Sequence, residues 1–236
     1  RGADDYMLET AMLKVFATEH LWTIVNDAIQ IWGGKGYFCD QPLERWMRDA
    51  RINTIGEGAN EVLKAFVAVV GCRAPGEYLK SLRDDLVAGK WSLGKLFGGV
   101  GAGAKLVAPW LASTPHVPAT KPEYFEDART LAGLVKQFGT TLPHVFLKLK
   151  DEATFVQAQL IHERIADIAM DLYAAACVLS RLDSLPESTT DPFADKDAGK
   201  YFLKLAYRRI SANFAGLESN DDAECLAAAK AALGKA

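Results

Sequence analysis

Apolar residues fall at Leu8, Met12, Val15, Phe16, Trp22, Val25 and Ile29, mostly three or four apart. That spacing lines one side of a 3.6-residue helix, so a long amphipathic helix is expected to run toward Trp32, where Gly33, Gly34 and Gly36 stop it. A short helix is expected over 42–47, led by Pro42, and after Gly56, Glu57 and Gly58 the apolar stretch 62–70 makes another, closed near Gly71 and Pro75. Beyond Pro75 the punctuation changes: a helix over 77–88, a glycine-rich stretch over 93–111, and a loop carrying Pro109, Pro115, Pro118 and Pro122. Phe125, Ala128, Leu131, Val135 and Phe138 mark a further helix, and Leu160, Ile161, Ile165, Ile168, Leu172, Ala175 and Leu179 a longer, more strongly patterned one. Residues 184–197, rich in Ser, Thr, Pro and Asp, read as loop, and helices over 201–214 and 222–233 close the chain. With no convincing strand and no repeat of fixed period, the expected fold class is all-α. Up-and-down helices pack as a bundle, in a first unit over 1–73 and an additional helical domain over 74–236.

Composition narrows the function classes by exclusion. Half of the 236 residues are hydrophobic, enough for a full core. The net charge is −3 and the pI near 5.9, with basic residues scattered among acidic ones, so nucleic acid is not an expected partner. Cys39, Cys72, Cys177 and Cys225 are far apart and lack zinc-ligand spacing. No metal site or disulfide framework is expected, and a reducing compartment is the better match. No apolar run approaches the roughly 20 residues of a membrane-spanning helix, and the first residues are unlike a signal peptide. His20, His116, His144 and His162 have no evident catalytic partner in the sequence, leaving surface or core roles.

Three ordered segments carry the chemistry: Gln30-Ile31-Trp32-Gly33-Gly34-Lys35-Gly36-Tyr37, then Glu44-Arg45-Trp46-Met47-Arg48-Asp49-Ala50-Arg51-Ile52, then Glu57-Gly58-Ala59-Asn60-Glu61. A glycine pair that ends a helix is commonplace, and an isolated Glu-Gly reads first as a solvated loop. In this order and at these separations, however, the segments resemble the signature of the acyl-CoA dehydrogenases. The resemblance implies that Glu57 is the catalytic base, removing the proton next to a thioester while a flavin takes a hydride from the β-carbon. A carboxylate beside glycines can be approached closely by a flat substrate, and burial against acyl chain and flavin raises such a group toward the range of a general base.

The same resemblance implies that Gly58 lies at the thioester, that Ala59, Asn60 and Glu61 contact the flavin, and that Gln30, Gly33 and Gly34 meet the adenosine end of an FAD held by a neighbouring subunit. Asn60 also has the position and chemistry of a helix N-cap. Arg48 and Asp49 match a family pair expected to tie the short helix to its neighbours rather than to do chemistry. Two positions depart from the family pattern. Gly56 stands where an aromatic residue is usual, and Ala59 where threonine is usual, losing a hydroxyl near the flavin.

In the second unit, Glu163-Arg164-Ile165-Ala166-Asp167, Ala169-Met170-Asp171-Leu172-Tyr173 and Val178-Leu179-Ser180-Arg181 resemble, more loosely, the central helix of the domain added in very-long-chain members. That subfamily implies FAD as cofactor, long-chain acyl-CoA as substrate, trans-2-enoyl-CoA as product, electron-transfer flavoprotein as electron acceptor and a homodimer. The setting would be the bacterial cytoplasm or the mitochondrial matrix, with peripheral inner-membrane contact through residues 91–111. That segment mixes Leu93, Leu96, Phe97 and Trp110 with Lys90, Lys95 and Lys105, as an interfacial helix does, while its glycines favour a loop. Without the family's amino-terminal helical and β domains, the chain alone is expected to be catalytically incompetent. The rival reading is a non-catalytic scaffold or assembly protein descended from such an enzyme, against which the carboxylate of Glu57 argues.

Overall fold

The computed structural model describes residues 6–73, 113–149, 152–186 and 196–234. Every described regular element is a helix. The chain divides into two compact units, Arg1–Gly71 and Cys72–Ala236.

The first unit is a three-helix assembly around α1 (Met7–Trp32), against which α2 (Pro42–Asn53) and α3 (Asn60–Gly71) pack. Its core is Ala11, Val15, Val25, Leu43, Ala50, Val67 and Ala68. α1 ends where the spacing predicts. Gly33 takes φ +62°, its N–H donates to the Gln30 carbonyl, and a 3-10 turn over Gly33–Tyr37 follows. Gly36 is buried in that turn, and a Cβ there would sit 2.8 Å from the Cβ of Trp32. α2 starts at Pro42, preorganised for the first helical turn, and runs to Asn53, six residues beyond the expected end. Lys64 on α3, nearly buried, is neutralised by Glu19 of α1 at 3.1 Å.

In the second unit α6 (Gln159–Ser184) is the central helix, flanked by α4 (Phe125–Leu149) and α7 (Lys196–Glu218). The short α5 (Glu152–Gln157) leads into it, and α8 (Asp222–Leu233) closes the chain without burying a residue. Ile165, Ile168, Leu203 and Ile210 are fully enclosed in its core. Ion pairs fix the periphery: Arg164 grips Asp222 with two bonds of 2.6 and 2.7 Å, and Arg209 grips the buried Asp171. The Asp183 carboxylate accepts the backbone N–H groups of Lys121 and Thr120, which hold its pKa below the ordinary value and clip the preceding loop to the end of α6.

The extension of α4 and the short α5 are not legible in the sequence. α4 continues past Phe138 through Gly139 and the buried Pro143, because its apolar face stays covered after the local punctuation. α5 is separated from α6 by a break at Ala158, whose N–H donates to the Phe155 carbonyl at 3.0 Å, and His162 Nε2 meets the same carbonyl at 2.7 Å. Since that carbonyl only accepts, Nε2 carries the proton, and Nδ1 is a buried lone pair without a partner among the described residues. The expected helix over 77–88 and the candidate membrane-contact segment 91–111 lie outside the described residues, and no described helix is long and apolar enough to cross a membrane.

Candidate active site

The turn between α2 and α3 is built against its local preference. Gly56 N–H donates to Ile52 O at 2.8 Å, ending α2, and Asn60 N–H closes the turn on Thr54 O at 3.1 Å. Between them Glu57 adopts φ +54° and Gly58 φ +96°, so the chain passes through two successive left-handed residues. Gly58 suits this, having no Cβ, and one built there would press on Leu63 at 3.1 Å. Glu57 does not suit it: the left-handed region costs an L-residue roughly 1–2 kcal/mol. It is the only such non-glycine residue among the described ones, and it is the residue that the sequence motif singles out. Strain of this kind persists only where the surroundings over-determine it, and it concentrates at functional sites.

The surroundings here are supplied by α1. Lys14 Nζ donates to the Gly58 carbonyl at 2.8 Å and to Asn60 Oδ1 at 2.7 Å, and the Asn60 amide meets Thr18 Oγ1 at 3.0 Å. Asn60 is thus the first residue of α3, but its side chain is buried and engaged with α1 rather than capping its own helix. The Glu57 side chain is exposed and makes no hydrogen bond or ion pair among the described residues. Glu61 is exposed in the first turn of α3, and Ala59 is half-buried.

The remaining candidates occupy a different place. Gln30, Gly33 and Gly34 are exposed at the far end of α1, beside Ile31, Trp32, Tyr37 and Phe38, all more than half exposed. At 1.5 Å per residue, Lys14 and Gln30 stand about 24 Å apart along the helix. The glutamate turn and the glycine turn are therefore two separate patches on one rod. Both Gly33 and Gly34 have open space where a Cβ would point, so a ligand can lie directly on the backbone. Arg48, read as a tie between helices, pairs with Glu44 one turn back on its own helix. The residue that reaches α1 is Arg51, over the Trp22 ring at 5.9 Å. Sequence reasoning passed over Lys14 and Thr18 altogether. Their one-turn spacing on α1 was visible, but nothing in the sequence paired them with a turn more than forty residues away. Among the described residues no group of three or more His, Cys, Asp or Glu could hold a metal ion.

Comparison with known proteins connects this geometry to a family. Residues 1–70 match the model of the acyl-CoA dehydrogenase C-terminal domain, and residues 122–233 that of the ACAD9/ACADV C-terminal domain. The mitochondrial very long-chain specific acyl-CoA dehydrogenases of Rattus norvegicus and Homo sapiens are each 32% identical over 93% of this chain. A probable acyl-CoA dehydrogenase, FadE10, of Mycobacterium bovis is 25% identical over 94% of it. The chain spans about a third of the length of these relatives: 33% of the first two and 36% of the last. The crystal structure of an acyl-CoA dehydrogenase complexed with FAD from Bacillus anthracis superposes with a TM-score of 0.62, covering 94% of this chain and 35% of that one at 22% identity, which speaks for the fold. With both units matched to carboxy-terminal domains of the same proteins, the chain belongs to the acyl-CoA dehydrogenase family and is its carboxy-terminal part.

Proposed function

We propose that this chain contributes the catalytic base and part of the flavin site to an FAD-dependent oxidation of long-chain acyl-CoA to trans-2-enoyl-CoA. The observation that carries this reading is Glu57, a carboxylate held in a left-handed conformation next to a glycine, at the motif position of the base. In the reaction, Glu57 takes the α-proton onto a carboxylate oxygen, and the electrons of that C–H bond form the new Cα–Cβ double bond. A bound flavin supplies the two-electron acceptor for the β-hydride. Gly58 leaves its backbone open toward the thioester, and the Glu57 side chain, exposed in this chain, would gain its low-dielectric surroundings from the bound acyl group. Gln30, Gly33 and Gly34 suit the adenosine end of an FAD held by a neighbouring subunit, since their exposed, open backbone admits a flat ring or a phosphate. Ala59, Asn60 and Glu61 border the flavin, Asn60 by its backbone, because its carboxamide is engaged by Lys14 and Thr18. Electron-transfer flavoprotein as acceptor, a homodimer and peripheral membrane contact through residues 91–111 complete the reading.

The test is anaerobic flavin bleaching by palmitoyl-CoA in the full-length flavoprotein that carries this chain. Glu57→Gln is expected to slow bleaching by about 10³-fold or more, the scale on which a positioned base contributes, with FAD still bound. A wild-type protein that holds FAD yet does not bleach would instead favour a non-catalytic scaffold.

A further inference from the structure

We infer that Lys14 is a positioning residue for Glu57, holding the base in its left-handed conformation through the carbonyl of the next residue; this rests on the reading of Glu57 as the base. A left-handed glutamate followed by a glycine at φ +96° relaxes readily to ordinary angles unless something holds the peptide that follows. The Gly58 carbonyl is the atom such a holder must reach, and Lys14 Nζ reaches it at 2.8 Å. The same ammonium donates to Asn60 Oδ1 at 2.7 Å, and Asn60 and Thr18 hydrogen-bond to each other, so both ends of the Gly58–Asn60 stretch are tied to one turn of α1. Charge-assisted bonds from a helix anchored in the core are stronger and stiffer than neutral ones within the turn itself. Lys14 is half-buried, and its ammonium is engaged by the Gly58 carbonyl and Asn60 Oδ1. Its effect is on where the carboxylate stands rather than on substrate binding, and a displacement of about 1 Å in a reacting group lowers rate on the order of 10²-fold.

The experiment compares Lys14→Met, Lys14→Arg and Glu57→Gln in the full-length flavoprotein, reading the bleaching rate constant and the apparent dissociation constant for palmitoyl-CoA. For Lys14→Met the rate constant is expected to fall about tenfold to a hundredfold with the dissociation constant little changed, and for Lys14→Arg to recover most of that loss. Amide exchange at Gly58 and Asn60 should quicken in Lys14→Met, with exchange in the middle of α1 unchanged. Wild-type bleaching in Lys14→Met beside an inactive Glu57→Gln overturns this inference alone. Normal bleaching in Glu57→Gln overturns the base reading and this inference with it. A loss confined to substrate binding also overturns it, making Lys14 a ligand contact. Should Lys14→Met fail to fold, Thr18→Ala decides, with about a threefold fall in rate expected from loosening Asn60 and no fall overturning the inference.

Discussion

Two helices of equal length use their apolar residues in opposite ways. α6 and α1 each have 26 residues, but α6 buries ten of them while α1 buries Ala11, Val15 and Val25. The reason is visible in the spacing. On α1 a second apolar stripe, Leu13, Ile24 and Ile31, recurs at intervals of eleven and seven residues. At 100° per residue these three fall within about 20° of one another, on the side opposite Ala11, Val15, Trp22 and Ile29. They are 62%, 64% and 84% exposed. Apolar residues on both sides cancel the amphipathicity that a one-faced helix such as α6 shows more clearly. The second unit encloses its own core and matches its buried Asp171 with Arg209, whereas the first leaves an apolar stripe in water and holds a strained glutamate at its turn. The lesson is that the second unit commits the apolar residues of its central helix to one enclosed core, whereas the first keeps a second apolar stripe exposed and a glutamate in a left-handed turn.

Truncating matched residues on the two helices is the most direct way to break this contrast. Ile168→Ala, at a fully buried position of α6, is expected to cost about 3 kcal/mol, whereas Ile24→Ala on α1 stays within about 0.5 kcal/mol. Urea midpoints of the chain, monitored by a reporter in each unit, check both. Equal losses would mean that the outer stripe of α1 is covered in solution.

A second effect belongs to the second unit alone and depends on pH. Burial holds the His162 imidazole below its ordinary pKa, the hydrogen bond to Phe155 opposing it, so the folded state prefers the neutral ring. The unfolded chain takes up this proton as pH falls through about 6.5, and the folded chain does so only at lower pH. Above that value His162 contributes no pH dependence, and below it the second unit loses stability until the folded-state pKa is reached. Thermal midpoints at pH 7.5 and 5.5 should therefore fall further for wild type than for His162→Gln, whose amide can still donate to the Phe155 carbonyl. Identical falls would remove His162 from the account.

The smallest effect sharpens the picture of the strained turn. Glu57→Gly relieves about 1–2 kcal/mol of left-handed strain, offset by up to about 1 kcal/mol of glycine entropy, for a net gain of roughly 0.5 kcal/mol. The first unit should become slightly more stable while the proposed activity is abolished, the trade expected where strain serves function. A clear loss of stability in a urea melt would show that the Glu57 side chain holds the turn rather than burdening it.

Much of this molecule is legible along the chain. Helix type and the limits of α1, α3, α6 and α8 follow from periodicity, glycine stops and apolar runs, all of which act within a few residues. Glu57 is recognisable as a candidate because its motif is contiguous, whereas its left-handed backbone is not legible there. Where local punctuation and long-range burial disagreed, burial won: α4 runs through Gly139 to the buried Pro143 and Val145.

By itself, then, the amino-acid order determined the helices, the family motifs and the glycines at which the backbone bends, since these depend on spacing along one chain. The tertiary structure decided which of the two apolar stripes on α1 is buried, that the glycine turn and the glutamate turn stand about 24 Å apart along that helix, and that Lys14 and Thr18 clasp Asn60 and the Gly58 carbonyl. These outcomes depend on which surfaces meet after folding. A hydrogen bond across 44 residues leaves no period in the sequence, and a lysine on a helix looks the same there whether it faces water or a carbonyl.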